Sequence, residues 1–531
     1  MRHKKIFSIL LPVLLLALYA LFLAHPINLA TADLGRHLQN GAELLQNGNL
    51  IRTNFYSYTY PDFPATNHHW GAGALFYLVF RVFGFAGVQA FFIAIALAAF
   101  FVFFQIAKKR GGLAAAGLLS LLVIPLLGER AEVRPEIFSY LFAGIFFWCL
   151  LERKWLWSLP IIMVLWVNSH IYFFLGPAII GAFWLAHPNK KLALIFALTT
   201  AATLANPFFL HGAIAPFTVF QNYGYNLAEN QPLWKITYLL PGNPNYVIFE
   251  IVLALLIVSF IWKLWRDRQN FSWANLFLAA GVTGMGLLQL RNFSLFGLFA
   301  LPIIAENLNK NKSAIPAKES RLPAAGRESI QRGLDSRLRG NDKTWWAVAL
   351  TSLALLLALT GELKSVFPQL QNYRLGLAPG ITRAAEFWKN NNLQGPIFNN
   401  YDIGGYLIYS GEEVFVDNRP EAYPASFFRD EYIPMQESEE AWQKRLAKYN
   451  FQAIFFWWRD FTPWSQTFLK KRLEDPEWRQ VYLDDYAIIF VRNENSLTLS
   501  PGDGESRREV ETSAMTQTSP LIPPHALGRG K

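Results

Sequence analysis

Eleven apolar runs constrain this chain more than any other feature: 6–25, 87–106, 113–128, 136–151, 155–169, 171–187, 192–208, 246–262, 272–289, 292–306 and 345–362. Roughly 20 apolar residues cross a hydrocarbon core as a helix, and lipid leaves no water to satisfy an open backbone. A polytopic helical membrane protein of about 11 spans is therefore the expected fold class. The chain is 53% hydrophobic and 16% charged, too apolar for a soluble protein of 531 residues.

Loop charge orients the spans. "GAGALFYLVFRVFG" (71–84) is short and contains Arg81, so it reads as an interfacial or re-entrant helix outside the span count. The basic N-terminus, Lys108-Lys109-Arg110, Arg153-Lys154, Lys190-Lys191, Lys263/Arg266/Arg268 and the loop 307–344 then share one side. By the positive-inside rule that side is cytoplasmic, which puts the C-terminus outside, in the periplasmic or extracellular space. The location expected is the inner (cytoplasmic) membrane of a bacterial cell envelope. Ala30-Thr31-Ala32 has the form of a signal-peptidase site. The run before it exceeds an h-region of about 7–15 residues, so it reads as an uncleaved anchor.

Much of the net charge of +10 is local, with nine Lys or Arg against four acids in 307–344. That stretch lacks aromatic interleaving and any nucleic-acid-binding pattern, so nucleic acid is not an expected partner. It resembles the translation of a dispersed bacterial repeat element and reads as a cytoplasmic insertion. The lone Cys149 excludes an intrachain disulfide and a thiolate zinc site.

Residues 1–362 form the expected transmembrane domain, with outer loops at 26–86 and 209–245. In 363–495, "PIFNN" (396–400), "VFVDN" (414–418), "QAIFFWW" (452–458) and "YAIIFV" (486–491) read as strands among helical stretches. They predict a small outer α/β domain. Residues 496–531, rich in Ser, Thr, Pro and Gly, read as a disordered tail.

Ionisable groups near membrane depth are costly and direct attention to function. In "TADLGRHLQNG" (31–41), Asp33 and His37 stand four apart on a predicted amphipathic surface helix. Asp33 either accepts a proton or an ion in a cleft, or caps this helix. Arg36 is a candidate phosphate contact, whereas His37 reads as a surface histidine. "ATNHHWG" (65–71) gives adjacent His68 and His69, of which His69 is a candidate substrate contact; Trp70 reads as an interfacial anchor. Glu129, Arg130, Glu132, Arg134 and Glu136 crowd one short outer loop, either as a salt-bridge knot or with Arg134 clamping a phosphate. His170 lies in an outer turn, and "NLAENQPLW" (226–234) places Glu229 ahead of Lys235. Asp33, Arg134, His170 and Glu229 all map to the outer face.

These residues carry a resemblance. A span, an acid early in a long first outer loop, and a surface helix, followed by "NFYSYTYPDFPATNHHWGAGALFYLVFRVFG", "ANPFFLHG", "NLAENQPLW" and "NNYDIGGYLIYSGEEVFVDNRPEAY", resemble polytopic glycosyltransferases of the C fold class. The likeness is to a bacterial branch related to mannosyl- and aminoarabinosyl-transferases. It implies a polyprenyl-phosphate-linked sugar donor, membrane lipids as surroundings, and transfer on the outer face. It also implies that Asp33 is the first-loop acid serving as base or metal ligand. Relatives often carry a second acid after the first-loop tryptophan, where this chain has Gly71 and Ala72.

The chemistry needs a carboxylate for the acceptor, which Asp33 with Glu229 would supply. It also needs cationic charge or a divalent cation for the departing phosphate; Arg36, Arg134 and Lys235 are the candidates. Two rival functions remain, a transporter or flippase of a lipid-linked glycan and a non-catalytic glycan-binding protein. For the latter, Asp417, Asn418 and Arg419 would line the site.

Overall fold

The computed structural model describes residues 2–219, 223–309 and 328–493, and the chain divides into two units. The first comprises Met1–Ile27, His68–Thr218 and Asn226–Gly376; the second comprises Asn28–Asn67, Val219–Tyr225 and Leu377–Lys531.

Among its described residues the first unit is built of helices and their connections, with no strand. Ile6–Leu23, Trp70–Gly111, Pro244–Arg266 and Lys343–Thr360 are long and apolar enough to cross a membrane, with shorter apolar helices at Leu113–Gly128, Leu156–Val167, Ile171–Ala186 and Trp273–Leu288. Each expected span overlaps helix, although 192–208 is helical only as far as Ala202. Residues 71–84 are helical too, and they break from the following span at Gly84, where φ is 63° and ψ −164°. That region of backbone space is practically confined to glycine. Of the basic stretch 307–344, residues 310–327 lie outside the described residues, while 328–344 begin the helix Glu328–Thr360. The expected tail 496–531 also lies outside them.

The helix Phe293–Leu308 is this unit's core, buried along nearly its whole length. Apolar surface alone does not drive helices together in lipid, so close packing and interhelical hydrogen bonds must. Phe293 stacks on Phe249 with ring centroids 4.4 Å apart. Ser294 donates to the Leu126 carbonyl at 3.0 Å, and Asn307 donates to Ser259 at 3.1 Å.

The second unit carries a four-stranded sheet: β1 (Ile397–Asn399), β2 (Ala453–Phe456), β3 (Trp478–Leu483) and β4 (Ile488–Arg492), in the order β1-β2-β4-β3. β1 runs parallel to β2 and the other neighbours are antiparallel. Phe398 of β1 is fully buried, with Phe415, Trp442, Phe451, Phe456 and Phe468 all 5.1–5.3 Å away between ring centroids.

"VFVDN" is not a strand. Among the described residues its only ladder contact is a bridge from Val414 to Ser57. The Asn399 side chain stands in for a neighbouring strand, accepting from Phe415 N at 2.9 Å and donating to the Val416 carbonyl at 2.6 Å. One side-chain amide presents both a donor and an acceptor, as a peptide group does.

Candidate functional site

Asp33 and Arg36 belong to the second unit, at the start of the helix Leu34–Asn47. This helix packs on Gly404–Ser410, and small residues set the approach. A Cβ at Gly35 would lie 2.6 Å from the Gly405 carbonyl oxygen, and one at Gly404 would lie 2.5 Å from the Asp417 Cα. The first half of the helix is consequently buried, His37 included, which corrects its assignment to the surface.

Asp33 occupies the N-cap position without serving as a cap. Its φ and ψ are −65° and −12°, already helical, and its side chain makes no capping hydrogen bond. An N-cap residue ordinarily has extended backbone angles so that its side chain can turn back on the helix. The Asp33 carboxylate instead accepts from the Asn418 side-chain amide. The same amide's oxygen accepts from Arg36 Nε at 3.0 Å, and Arg36 Nη2 lies 3.7 Å from Asp33 Oδ1. Acid, amide and guanidinium thus form a closed triangle.

Neighbouring groups surround it. Asp417 is wholly buried and pairs with Arg419 at 2.6 Å, fixing the backbone on either side of Asn418. Arg419 in turn donates to Asn54 at 2.8 Å. Burial pushes the Glu421 carboxyl up in pKa against the pull of Arg36 and Arg419. The buried Tyr401 hydroxyl makes no hydrogen bond among the described residues. Burial raises its pKa well above the usual phenol range, and Tyr223, Glu421, Asp33 and Asp402 add to the effect.

The remaining candidates lie in the first unit. Arg130 forms a fork on Glu136 at 2.6 and 3.0 Å and reaches Glu229 Oε2 at 2.6 Å. Arg134 holds Glu132 at 2.8 Å and the same Glu229 oxygen at 3.2 Å. Burial alone would raise the Glu229 pKa, but Arg130, Arg134 and Arg291 together hold it well below the usual carboxylate range. A carboxylate so stabilised is a weak proton acceptor and a strong internal counter-anion. The crowded loop 129–136 is therefore a salt-bridge knot closed by Glu229. Arg291, which the sequence pattern did not single out, joins it from the turn Leu290–Asn292, with its guanidinium 5.8 Å from the Tyr172 ring centre.

His170 adjoins this knot through Tyr172, their ring centres being 4.8 Å apart. Trp166 Nε1 donates to Ser139 Oγ at 2.7 Å, and Ser139 lies 2.8 Å from His170 Nδ1. Tyr172 N also donates to that nitrogen, at 3.3 Å. Nδ1 is thus an acceptor, and a neutral His170 carries its proton on Nε2. His69 stacks on His170 at 5.1 Å. His68 lines a small recess with Trp70, Phe173, Asn206 and Phe208. Burial, assisted by His211, pushes its pKa down to about 4. Trp70 donates to Asn168 at 2.9 Å. Lys235 is exposed on the helix Leu233–Leu239.

Arg134, Glu229 and His170 are brought into one network, while Asp33 and Arg36 form a separate cluster in the second unit. Among the described residues no group of three or more His, Cys, Asp or Glu side chains is placed to hold a metal ion. The donor set there does not fit a divalent cation, so no chemical step is assigned to one.

No protein-family model and no curated protein matches the chain. Solved structures do. The oligosaccharyltransferase of Archaeoglobus fulgidus in its apo form has a TM-score of 0.56 at 12% identity, over 93% of this chain and 75% of that one. AglB from the same organism, in complex with an inhibitory peptide and a dolichol-phosphate, gives 0.54 at 12% identity, over 94% and 75%. Apo ArnT from Cupriavidus metallidurans gives 0.51 at 13% identity, over 92% and 98%. The chain is thus a multi-pass membrane protein with the fold of C-class glycosyltransferases and a small C-terminal α/β sheet.

Proposed function

We propose that this protein is a membrane glycosyltransferase. It moves a sugar from a polyprenyl-phosphate-type donor to an acceptor on the outer face of the cytoplasmic membrane. The observation that carries the reading is the Asp33 carboxylate, which stands at a helix start yet is withheld from capping and gripped by Asn418 beside Arg36. The shared fold supports it, since one of the similar proteins was solved with a dolichol-phosphate. The five basic loops on one side support the assignment of sides.

In this reading Asp33 takes the proton from the acceptor's nucleophilic atom as that atom attacks the anomeric carbon. The bond from that carbon to the phosphate oxygen breaks with inversion, and its electron pair leaves on the phosphate. A guanidinium at hydrogen-bond distance from that oxygen lowers the barrier, which is the role given to Arg36. In the membrane unit, Arg130, Arg134 and Arg291 are balanced by Glu136, Glu132 and Glu229, and Glu229 orders the guanidiniums rather than moving a proton. His69, His170 and Lys235 remain candidate substrate contacts.

The test is Asp33→Asn in the full-length chain, reconstituted in liposomes with undecaprenyl-phosphate-linked radiolabelled pentoses and hexoses. Loss of sugar release by at least about 100-fold is expected for removal of a general base. Full activity in the variant removes Asp33 from the mechanism.

A further inference from the structure

We infer that Asn418 is a positioning residue for Asp33, an inference that rests on the glycosyltransferase reading above. Its two amide atoms do different work. The NH2 group donates to the carboxylate of Asp33, and the oxygen accepts from Arg36 Nε at 3.0 Å. Arg36 Nη2 also stands 3.7 Å from Asp33 Oδ1, a loose ion pair beyond ordinary hydrogen-bond distance. The amide bridges the two and fixes both, so that the acid takes its hydrogen bond from a neutral donor while the cation stands behind it.

A side-chain amide offers a donor and an acceptor in a single plane at every pH, which matches both partners. Aspartate at 418 would lack the donor, and a lysine would lack the acceptor. Asn418 itself is held on both flanks. Asp417 and Arg419 form the buried pair beside it, and its amide nitrogen would lie 3.2 Å from a Cβ placed on Gly405. Such a residue acts through the group it orients, and loss of an orienting partner typically costs about 10- to 100-fold in activity.

The charged and titratable groups around the triangle are Arg36 on its own helix, Glu421, the Asp417–Arg419 pair, and Tyr401 with Asp402 and Tyr223. Asn418→Asp sets a second carboxylate against Asp33, and a like charge at contact raises a carboxylate's pKa by about a unit or more. The acid limb of the pH–rate profile should therefore move to higher pH by about one unit. Asn418→Ala should lower kcat by about 10- to 100-fold with little change in KM.

Both variants, with Asp33→Asn, are made in the full-length chain in lipid nanodiscs, and melting temperatures check folding. Sugar release from the undecaprenyl-phosphate-linked substrates is followed from pH 4.5 to 8.5. In parallel, infrared difference spectroscopy follows the carboxylate band that Asp33→Asn removes, a readout independent of turnover. An upward displacement of that band's titration midpoint in Asn418→Asp, with the matching move of the acid limb, is the expected result. A folded Asn418→Asp whose band titrates as in the parent overturns the inference, as does Asn418→Ala at parental kcat. If Asp33→Asn retains full activity, the glycosyltransferase role of Asp33 fails, and the catalytic meaning of Asn418 fails with it. If Asp33→Asn is inactive and only the Asn418 results are negative, the general-base reading stands and this inference alone is lost.

Discussion

Replacing Gly35 with alanine adds one methyl group where two backbones meet. The new Cβ would stand 2.6 Å from the Gly405 carbonyl oxygen and 3.0 Å from the Tyr409 Cβ. An ordinary contact is about 3.4 Å, so the helix carrying Asp33 and Arg36 must retreat by roughly 0.8 Å; no flexible side-chain end is there to yield. Overpacking of this kind costs about 1–3 kcal/mol, which lowers the melting temperature by about 3–10 °C in a unit of this size. The retreat also draws Asp33 away from Asn418. Misplacing a reacting group by about 1 Å costs about 100-fold, so sugar release should fall by 10- to 100-fold. The measurements are thermal unfolding in detergent micelles and turnover of the undecaprenyl-phosphate-linked substrates. An alanine variant with unchanged melting temperature and unchanged turnover would refute the claim that this contact positions the acid.

Asp417→Asn should be among the most damaging single changes in the second unit. It leaves Arg419, 8% exposed, without its carboxylate, and breaking a buried pair from one side costs about 3–5 kcal/mol. Loss of folded protein on size-exclusion chromatography is expected, and a parental melting temperature would count against it. His68, with its pKa pushed down to about 4 against an ordinary 6.5, is neutral when folded. The unfolded chain therefore takes up the proton first, so this contribution to stability is complete above about pH 6.5 and drains away as pH falls toward 4. His68→Gln should flatten the decline in melting temperature between pH 6.5 and 4, by the equivalent of about 1–3 kcal/mol. Parallel curves for parent and variant would show that His68 is not the titrating group.

The apolar helices were legible because length and apolarity suffice to specify one, and the backbone breaks at Gly84, where the short run containing Arg81 ends. The "VFVDN" segment misled because its apolar residues are buried as in a strand, while its backbone partner is the Asn399 side chain, a substitution that no local pattern encodes. β3 went unread because Trp478–Leu483 is mostly half-exposed and carries Arg and Gln. Within the candidate sites, the local charges were visible as residues but not as partners. The Glu229 carboxylate finds Arg130 and Arg134 nearly 100 positions away, and the partner of Asp33 lies at 418. Nothing in the sequence around Arg291 sets it apart from other cations between two apolar runs. Whether Asp33 caps its helix needed backbone angles, which no sequence pattern fixes.

The triangle at Asp33 also has a timetable. Its acid is made 385 residues before the amide that holds it. At translation rates of about 5–20 residues per second, roughly 20–80 seconds separate the two. Throughout that interval a nascent chain carries its acid and its arginine without the part that sets their geometry. Any product truncated before Asn418, by a premature stop or a stalled ribosome, lacks that part for good. On the proposed role of Asp33, competence is conferred late in synthesis, and incomplete chains left in the membrane should lack sugar transfer.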